Sequence, residues 1–224
     1  GLPTVQLNGD PIYGGTLEAI GRATPPNTTL TINRGSLLRH VVRRVDPLAL
    51  PDIAAPQAPT GTTDVTINRA SQNIDNFSTL RNLTLNTNVG MRAVPPGVYG
   101  AFSANGGSGF VLGVAGATEP AVYELQSLTL NSGSGVQIVG PVILRLANGL
   151  ALNGAAVGNA AHPEWLTLEI ASGDLTLNSG ATLQGDALVP FGTVSINGNT
   201  AIHGHVSADW LTINKNGLLE DPTP

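Results

Sequence analysis

The chemistry this chain could do rests on a few imidazoles, carboxylates, indoles and hydroxyls. His203-Gly204-His205 comes first. Alternate residues of a strand share a face, so the two rings could ligate one metal ion. A firm site wants three or four ligands, and Glu220 or Asp186 is the nearest third. The spacing is weak, so His203 and His205 are minor candidates in a chain expected to hold no metal and no cofactor. Catalytic carboxylates would need to sit in pairs, or beside Arg or Lys, on one face of neighbouring strands. The fifteen acids are scattered instead. The best arrangement sets Asp186 beside His205, with Gln184, His203 and Glu220 in the next column. Its ordinary reading is an exposed charge pair worth less than ~1 kcal/mol.

Other chemistries fare worse. No Walker, dinucleotide or nucleophile-elbow motif lies in a strand–turn–helix setting. Trp165 and Trp210 are the two indoles a glycan platform could use, and both read as packing at corners. Asn27, Asn76 and Asn82 lie in N-x-[ST] sequons, unsurprising where Asn and Thr are so common. Thr31, Thr66, Thr84, Thr129, Thr176 and Thr212 form an outward hydroxyl column. Ice binding would want a flat Thr-x-Thr face, and here the second column is Asn, so a β-sheet hydroxyl ladder is the plain reading. No catalytic residue is expected, and the chain reads as a non-enzyme.

Composition narrows the choice further. Charged residues are 11% of the chain, against roughly 25% in an ordinary domain. The surface is therefore uncharged and hydrogen-bonding, suited to stacking on itself. Net charge is −5, and nucleic acid would need a basic face. The cluster Arg39, Arg43 and Arg44 reads as a solvated patch. Aromatics are 4%, so the core must be mainly aliphatic. There are no cysteines, which excludes disulfides and thiolate metal sites. No apolar run reaches the ~20 residues of a membrane span.

What would position these groups is a repeat. An apolar–Thr–apolar–Asn core, clearest at Leu175-Thr176-Leu177-Asn178, recurs nine times. Its asparagines are Asn8, Asn33, Asn68, Asn86, Asn131, Asn153, Asn178, Asn197 and Asn214. Most gaps are one solenoid turn; the long one from Asn86 to Asn131 fits two. Within a unit the period is two, which means strands. Leu183, Gly185 and Ala187 point inward; Gln184 and Asp186 point outward. Each Asn suits a left-handed corner, and stacked amides can bond along the column. These asparagines are structural, not a binding site.

The units predict an all-β fold, a right-handed parallel β-helix (solenoid) of about ten coils. Residues 1–45 form a two-coil segment. Residues 46–61, with four prolines, form a linker or strap. Residues 62–224 form the body, interrupted by an outward loop at Ala155–Pro163. Neither end carries an amphipathic helix to cap it.

The run from Ser127 to Leu219, SLTLNSGSGVQIVGPVILRL through VSADWLTINKNGLL, resembles secreted bacterial β-helix domains found near type IV pilus and cell-surface components. More distantly it resembles the bactofilins, polymer-forming right-handed β-helices. The resemblance covers Val94 to Leu219 and rests on repeat style. It implies a structural, extracellular or cell-surface protein that is its own partner in a head-to-tail filament or layer. The two-coil segment could dock on a neighbouring subunit by strand donation. The alternative is a glycan-binding or carbohydrate-active domain of an adhesin, with cell-surface polysaccharide as partner.

Overall fold

A computed structural model describes residues 50–221 and, ahead of them, four backbone strands. Those four are β1 (Thr4–Leu7), β2 (Ile12–Glu18), β3 (Thr29–Ile32) and β4 (Leu37–Val42). The body follows with β5 (Thr63–Ile67), β6 (Leu80–Leu85), β7 (Gly90–Ala93), β8 (Gly97–Ala104), β9 (Ser108–Leu112), β10 (Ala121–Leu130) and β11 (Gly135–Ile138). Then come β12 (Val142–Leu146), β13 (Leu150–Asn153), β14 (Ala156–Gly158), β15 (Leu166–Ile170), β16 (Leu175–Asn178) and β17 (Thr182–Gln184). The last are β18 (Asp186–Ile196), β19 (Ala201–His203), β20 (Val206–Ile213) and β21 (Leu218–Glu220).

Every pairing within the body is parallel and joins one coil to the next, as in Leu150↔Leu175 and Leu175↔Val194. The result is a parallel β-solenoid whose body makes about eight turns, fewer than the ten expected for the whole chain. The difference lies in the first two coils, which do not begin the stack. The larger sheet runs β3-β1-β20-β18-β15-β12-β10-β8-β6-β5. The smaller runs β4-β2-β21-β19-β17-β14-β11-β9-β7. The N-terminal coils thus sit beyond the last coil of the same chain.

The alternation written in the repeat sets the core. Leu152, Leu177, Ile196 and Ile213 form one buried column; Val157, Leu183, Ile202 and Leu219 form another. Outside the aliphatic columns, Tyr99, Phe102, Phe110 and Tyr123 are buried together in the less regular coils. The rings of Tyr99 and Phe102 lie 5.0 Å apart, and those of Phe102 and Phe110 5.1 Å apart. Burial, then the neighbouring Tyr123, pushes the Tyr99 phenol up to about 12. It stays protonated at neutral pH and donates to the Pro95 carbonyl at 2.9 Å.

The expected outward loop begins later than the sequence suggests. Ala156–Gly158 is the strand β14, and the excursion runs from Asn159 to the short 3-10 turn Pro163–Trp165. At the other extremity, the loop between β5 and β6 stands where the smaller sheet would gain its next strand. Its Ile74 and Phe77 pack on the core, so this end carries a cap that is not a helix.

Residues 53–57 lie along the body. Ile53 and Pro56 are buried. The Gln57 amide donates to Glu124 Oε2 at 3.1 Å, and Gln126 Nε2 donates to the Gln57 carbonyl at 2.7 Å. Gly61 brings the chain against β6 so closely that a Cβ there would lie 2.2 Å from the Leu80 carbonyl oxygen.

Candidate functional site

Three features are candidates: a cleft with histidines and carboxylates, the asparagine and charge columns, and the two ends of the stack.

The cleft lies on the outer face of the smaller sheet, walled by the loop at Asn159–Trp165. It encloses about 730 Å³ and is lined by Gln184, Asp186, His203, His205, Glu220 and Asp221, among others. Register builds its floor: Gln184 pairs with His203, and His203 with Glu220. His203 Nδ1 lies 3.3 Å from Glu220 Oε2. His205 Nδ1 lies 2.9 Å from Asp186 Oδ1, and its Nε2 lies 3.7 Å from Asp221 Oδ1. The Asp186–His205 contact expected from the repeat is present.

The two histidines do not share one flat strand face. Gly204 lies between them with φ +156°, and a Cβ there would meet the Gly185 carbonyl oxygen at 2.1 Å. This glycine corner ends β19 and sends His205 toward Asp186, away from His203's partner Glu220. Among the described residues no group of three or more His, Cys, Asp or Glu is placed to hold a metal ion. On the wall, His162 stacks on Trp165 at 3.9 Å between ring centroids and 7° between planes. His162 also holds the Glu164 carboxyl below its ordinary range through a side-chain hydrogen bond.

Trp165 packs against the core, as expected for a corner residue. Trp210 does not: it is 41% exposed, and Phe191 is 64% exposed. Strand parity explains Trp210. Leu211 points inward, so the residue before it points outward, in register with Thr193 and Thr4.

The asparagine column forms two hydrogen-bonded runs. Asn86 donates to Asn68 at 2.5 Å, Asn105 to Asn86 at 3.4 Å, and Asn131 to Asn105 at 2.7 Å. Asn178 donates to Asn153 at 3.1 Å, Asn197 to Asn178 at 2.9 Å, and Asn214 to Asn197 at 2.6 Å. Asn8 and Asn33 lie outside the described residues. Asn105 fills the two-turn gap between Asn86 and Asn131. Its signal was the degenerate core Phe102-Ser103-Ala104-Asn105, in register with Leu128-Thr129-Leu130.

One expectation about this column is overturned. Among the described residues the ladder asparagines do not take the left-handed conformation. That position falls after it: one residue later at Gly154 and Ser179, and two residues later at Asn88, Gly107, Gly133, Gly180, Asn199 and Asn216. The ladder Asn is held by its amide bonds, and the chain turns after it. Asn216 donates to Asn199 at 3.0 Å, a second ladder at the turn itself.

Sequence reasoning missed a charge column on the larger sheet. Glu124, Arg145 and Glu169 pair across three successive coils. Arg145 donates to Glu124 at 2.9 Å and to Glu169 at 2.7 Å, and all three are largely buried. Burial works against the Arg145 charge, but Glu169 and Glu124 outweigh it and hold its pKa above the ordinary value. Glu124 spends its other oxygen on Gln57, so this column also holds the strap. The signal was in the repeat: Tyr-Glu-Leu, Leu-Arg-Leu and Leu-Glu-Ile at one parity. Nearer the loop-capped end, Arg81 makes a bidentate contact with Asp64 at 2.8 and 2.6 Å.

At the ends, β3 and β5 each pair on one side among the described strands. Asn86 N–H bonds the Ile67 carbonyl. By the alternation of parallel pairing, Ile67 and Val65 therefore face β6, and the backbone groups of Asp64 and Thr66 face away from it. Among the described residues no helix is long and apolar enough to cross a membrane. No family model, curated protein or solved structure matches the chain.

Proposed function

We propose that this chain is a structural, non-enzymatic subunit that self-associates head-to-tail at the cell surface or outside the cell. The observation that carries this reading is a pair of sheet edges, each strand paired on one side only among the described strands. β3 and β5 terminate the same sheet at opposite ends, and both carry the repeat core: Leu30-Thr31-Ile32 and Val65-Thr66-Ile67. A copy placed end to end in the body's own register sets Leu30 beside Val65, Thr31 beside Thr66 and Ile32 beside Ile67. Unpaired N–H and C=O groups along an edge favour strand addition. A contact between unlike ends does not close and yields fibres. The extracellular setting rests on the resemblance to secreted surface solenoids.

The test is negative-stain microscopy and light scattering of the purified chain, with Thr66→Pro beside it. Proline at an outward-facing edge position removes a donor without breaking the β5–β6 ladder. Elongated multimers are expected from the parent chain and monomers from Thr66→Pro. A parent chain that stays monomeric up to about 1 mM, the range of a weak contact, overturns the reading.

A second reading rests on the cleft. Its Asp186, Glu220 and Asp221 carboxylates, with Gln184 beside them, offer acceptors suited to the hydroxyls of a polysaccharide. A glycan array with Asp186→Asn as control tests it; equal binding by both proteins, or none by either, removes it.

A further inference from the structure

Two parallel columns on the outer face of the larger sheet use their side chains in opposite ways. A hydroxyl column runs in register from Thr66 on β5 through Thr84, Ser103 and Thr129, then past Ala151 to Thr212 on β20. Two residues further along each strand runs the asparagine column. Its amides spend their hydrogen bonds largely on one another. The hydroxyls do not: among the described residues none in this column gives or takes a hydrogen bond within the protein. Buried hydroxyls elsewhere, at Ser108, Ser134 and Thr200, do bond the chain. The hydrogen-bonded threonine ladder expected from the repeat has not formed, and the column is left open to whatever lies outside.

The asparagines were expected at corners, which would have cut the face to one column. They are not at corners. The left-handed turn comes after them, and Asn153 and Asn178 are the last residues of the strands β13 and β16. Both columns therefore belong to the sheet, and amide ladders are one of the devices that hold a many-stranded sheet flat. From Thr66 to Thr212 the path β5-β6-β8-β10-β13-β16-β18-β20 makes seven steps, about 34 Å at 4.8 Å per step. Across the strands the columns lie about 6.6–6.8 Å apart. Neither column holds a charged residue, and every member is exposed or half-buried. The strap reaches β10 at Gln126 and leaves Thr129 and Asn131 exposed.

We propose that this face binds ice. With no charge on either column, a polyanion or polycation has nothing to hold, and the complementary partner is neutral. A crystalline polysaccharide is neutral too, but it wants aromatic rings to stack on its sugar faces. Neither column has one; Trp210 stands in the adjoining, irregular row with Asn82 and Asp64. Small groups that both donate and accept, at two fixed repeats, suit a lattice made only of water. One hydroxyl bonds liquid water and ice equally well. A regular array tells them apart, because waters held at its repeats already lie close to the oxygen spacings of an ice prism face and join it without rearranging. Each bond contributes only about 0.5–1.5 kcal/mol, so the length of the array supplies the hold. The face is distinct from the sheet edges and from the cleft, and its action needs no self-association.

The test is ice growth in a solution of the full chain, followed in a nanolitre osmometer. Faceted crystals and a gap between melting and freezing points are expected. Thr176→Tyr and Thr129→Tyr each raise a ring from the face at an outward position that suits a strand. Each should shrink the gap several-fold while circular dichroism and the thermal unfolding midpoint stay as in the parent. Gln137→Tyr, exposed on the smaller sheet, should behave as the parent does. Rounded crystals and no gap from the parent chain overturn the proposal, as does a gap that both face variants keep. Retention of the parent on microcrystalline cellulose or chitin, lost in Thr176→Tyr and unaccompanied by ice shaping, also overturns it and gives the face to a polysaccharide.

Discussion

The two ends of the body, β5 to β21, are covered by different means. At the β5 end a local loop does it: Ile74 and Phe77 fold back over the first coil a few residues after β5 leaves it. At the β20 and β21 end the cover comes from the far end of the sequence. A local cap forms with its coil and cannot be lost separately. A distant cap holds through one interface, so it can be deleted or supplied by another molecule. A solenoid needs its ends covered to stay soluble, and this chain entrusts one of them to a removable part.

Deleting residues 1–49 should therefore have the largest effect. Leu211, Ile213 and Leu219 are buried, on strands that pair with β1 and β2. Uncovering three such side chains forfeits roughly 1.5–3 kcal/mol each. The expected outcome is a sharp loss of solubility, or large assemblies, in size-exclusion chromatography with dye binding as a check on exposed core. A soluble monomeric remnant with an unchanged melting temperature would erase the distinction between the two ends.

Next in size is the column that fastens the strap between the ends. Arg145→Met removes the cation shared by Glu124 and Glu169 and leaves both carboxylates largely buried. Breaking a buried pair costs about 3–5 kcal/mol; with partial exposure here, about 2–3 kcal/mol is expected in urea unfolding. The Gln57 amide should also exchange faster with solvent, since Glu124 is no longer held in place. Unchanged exchange at Gln57 would show that Ile53 and Pro56 hold the strap without Glu124. Smaller again is Phe77→Ala in the loop cap, at about 1–2 kcal/mol for a half-buried ring. Unlike the deletion, it should leave a soluble protein.

Much of the fold was legible because parallel stacking repeats one constraint at each coil. Parity alone placed Leu183, Ile202 and the column from Leu152 to Ile213. It also put Asp186 against His205 across one step. What stayed hidden depends on neighbours that periodicity does not encode. Asn105 escaped because its coil replaces leucines with Phe102 and Ala104, a substitution made possible by the aromatic cluster beside it. Glu124, Arg145 and Glu169 share a parity, but their pairing depends on unequal coil lengths bringing 124, 145 and 169 into register. The Gly204 corner separates two histidines that alternation alone would put side by side. The placement of β1 on β20 is invisible to any local pattern, since each repeat core fits any other.

The smallest expected effect distinguishes the ends by acid. Arg81 hydrogen-bonds Asp64 and holds its carboxyl below the ordinary value, with Asn82 adding to the shift. A carboxyl whose folded pKa is depressed contributes stability above its unfolded value, near 3.9, and loses it as pH falls through the folded value. The ion pair is well exposed, so the change is small. Its location gives it meaning: Asp64 sits on β5 and ties it to β6, the next strand inward from the loop-capped end. Between pH 5 and pH 3 the amides of β5 and β6 should lose protection, after correction for intrinsic exchange, faster in the parent than in Asp64→Asn. The two proteins should converge at the acid limit, where the parent's carboxyl is neutral as well. If the variant instead loses protection in parallel with the parent, Asp64 plays no part in holding that edge, and the β5 end owes its stability to the loop alone.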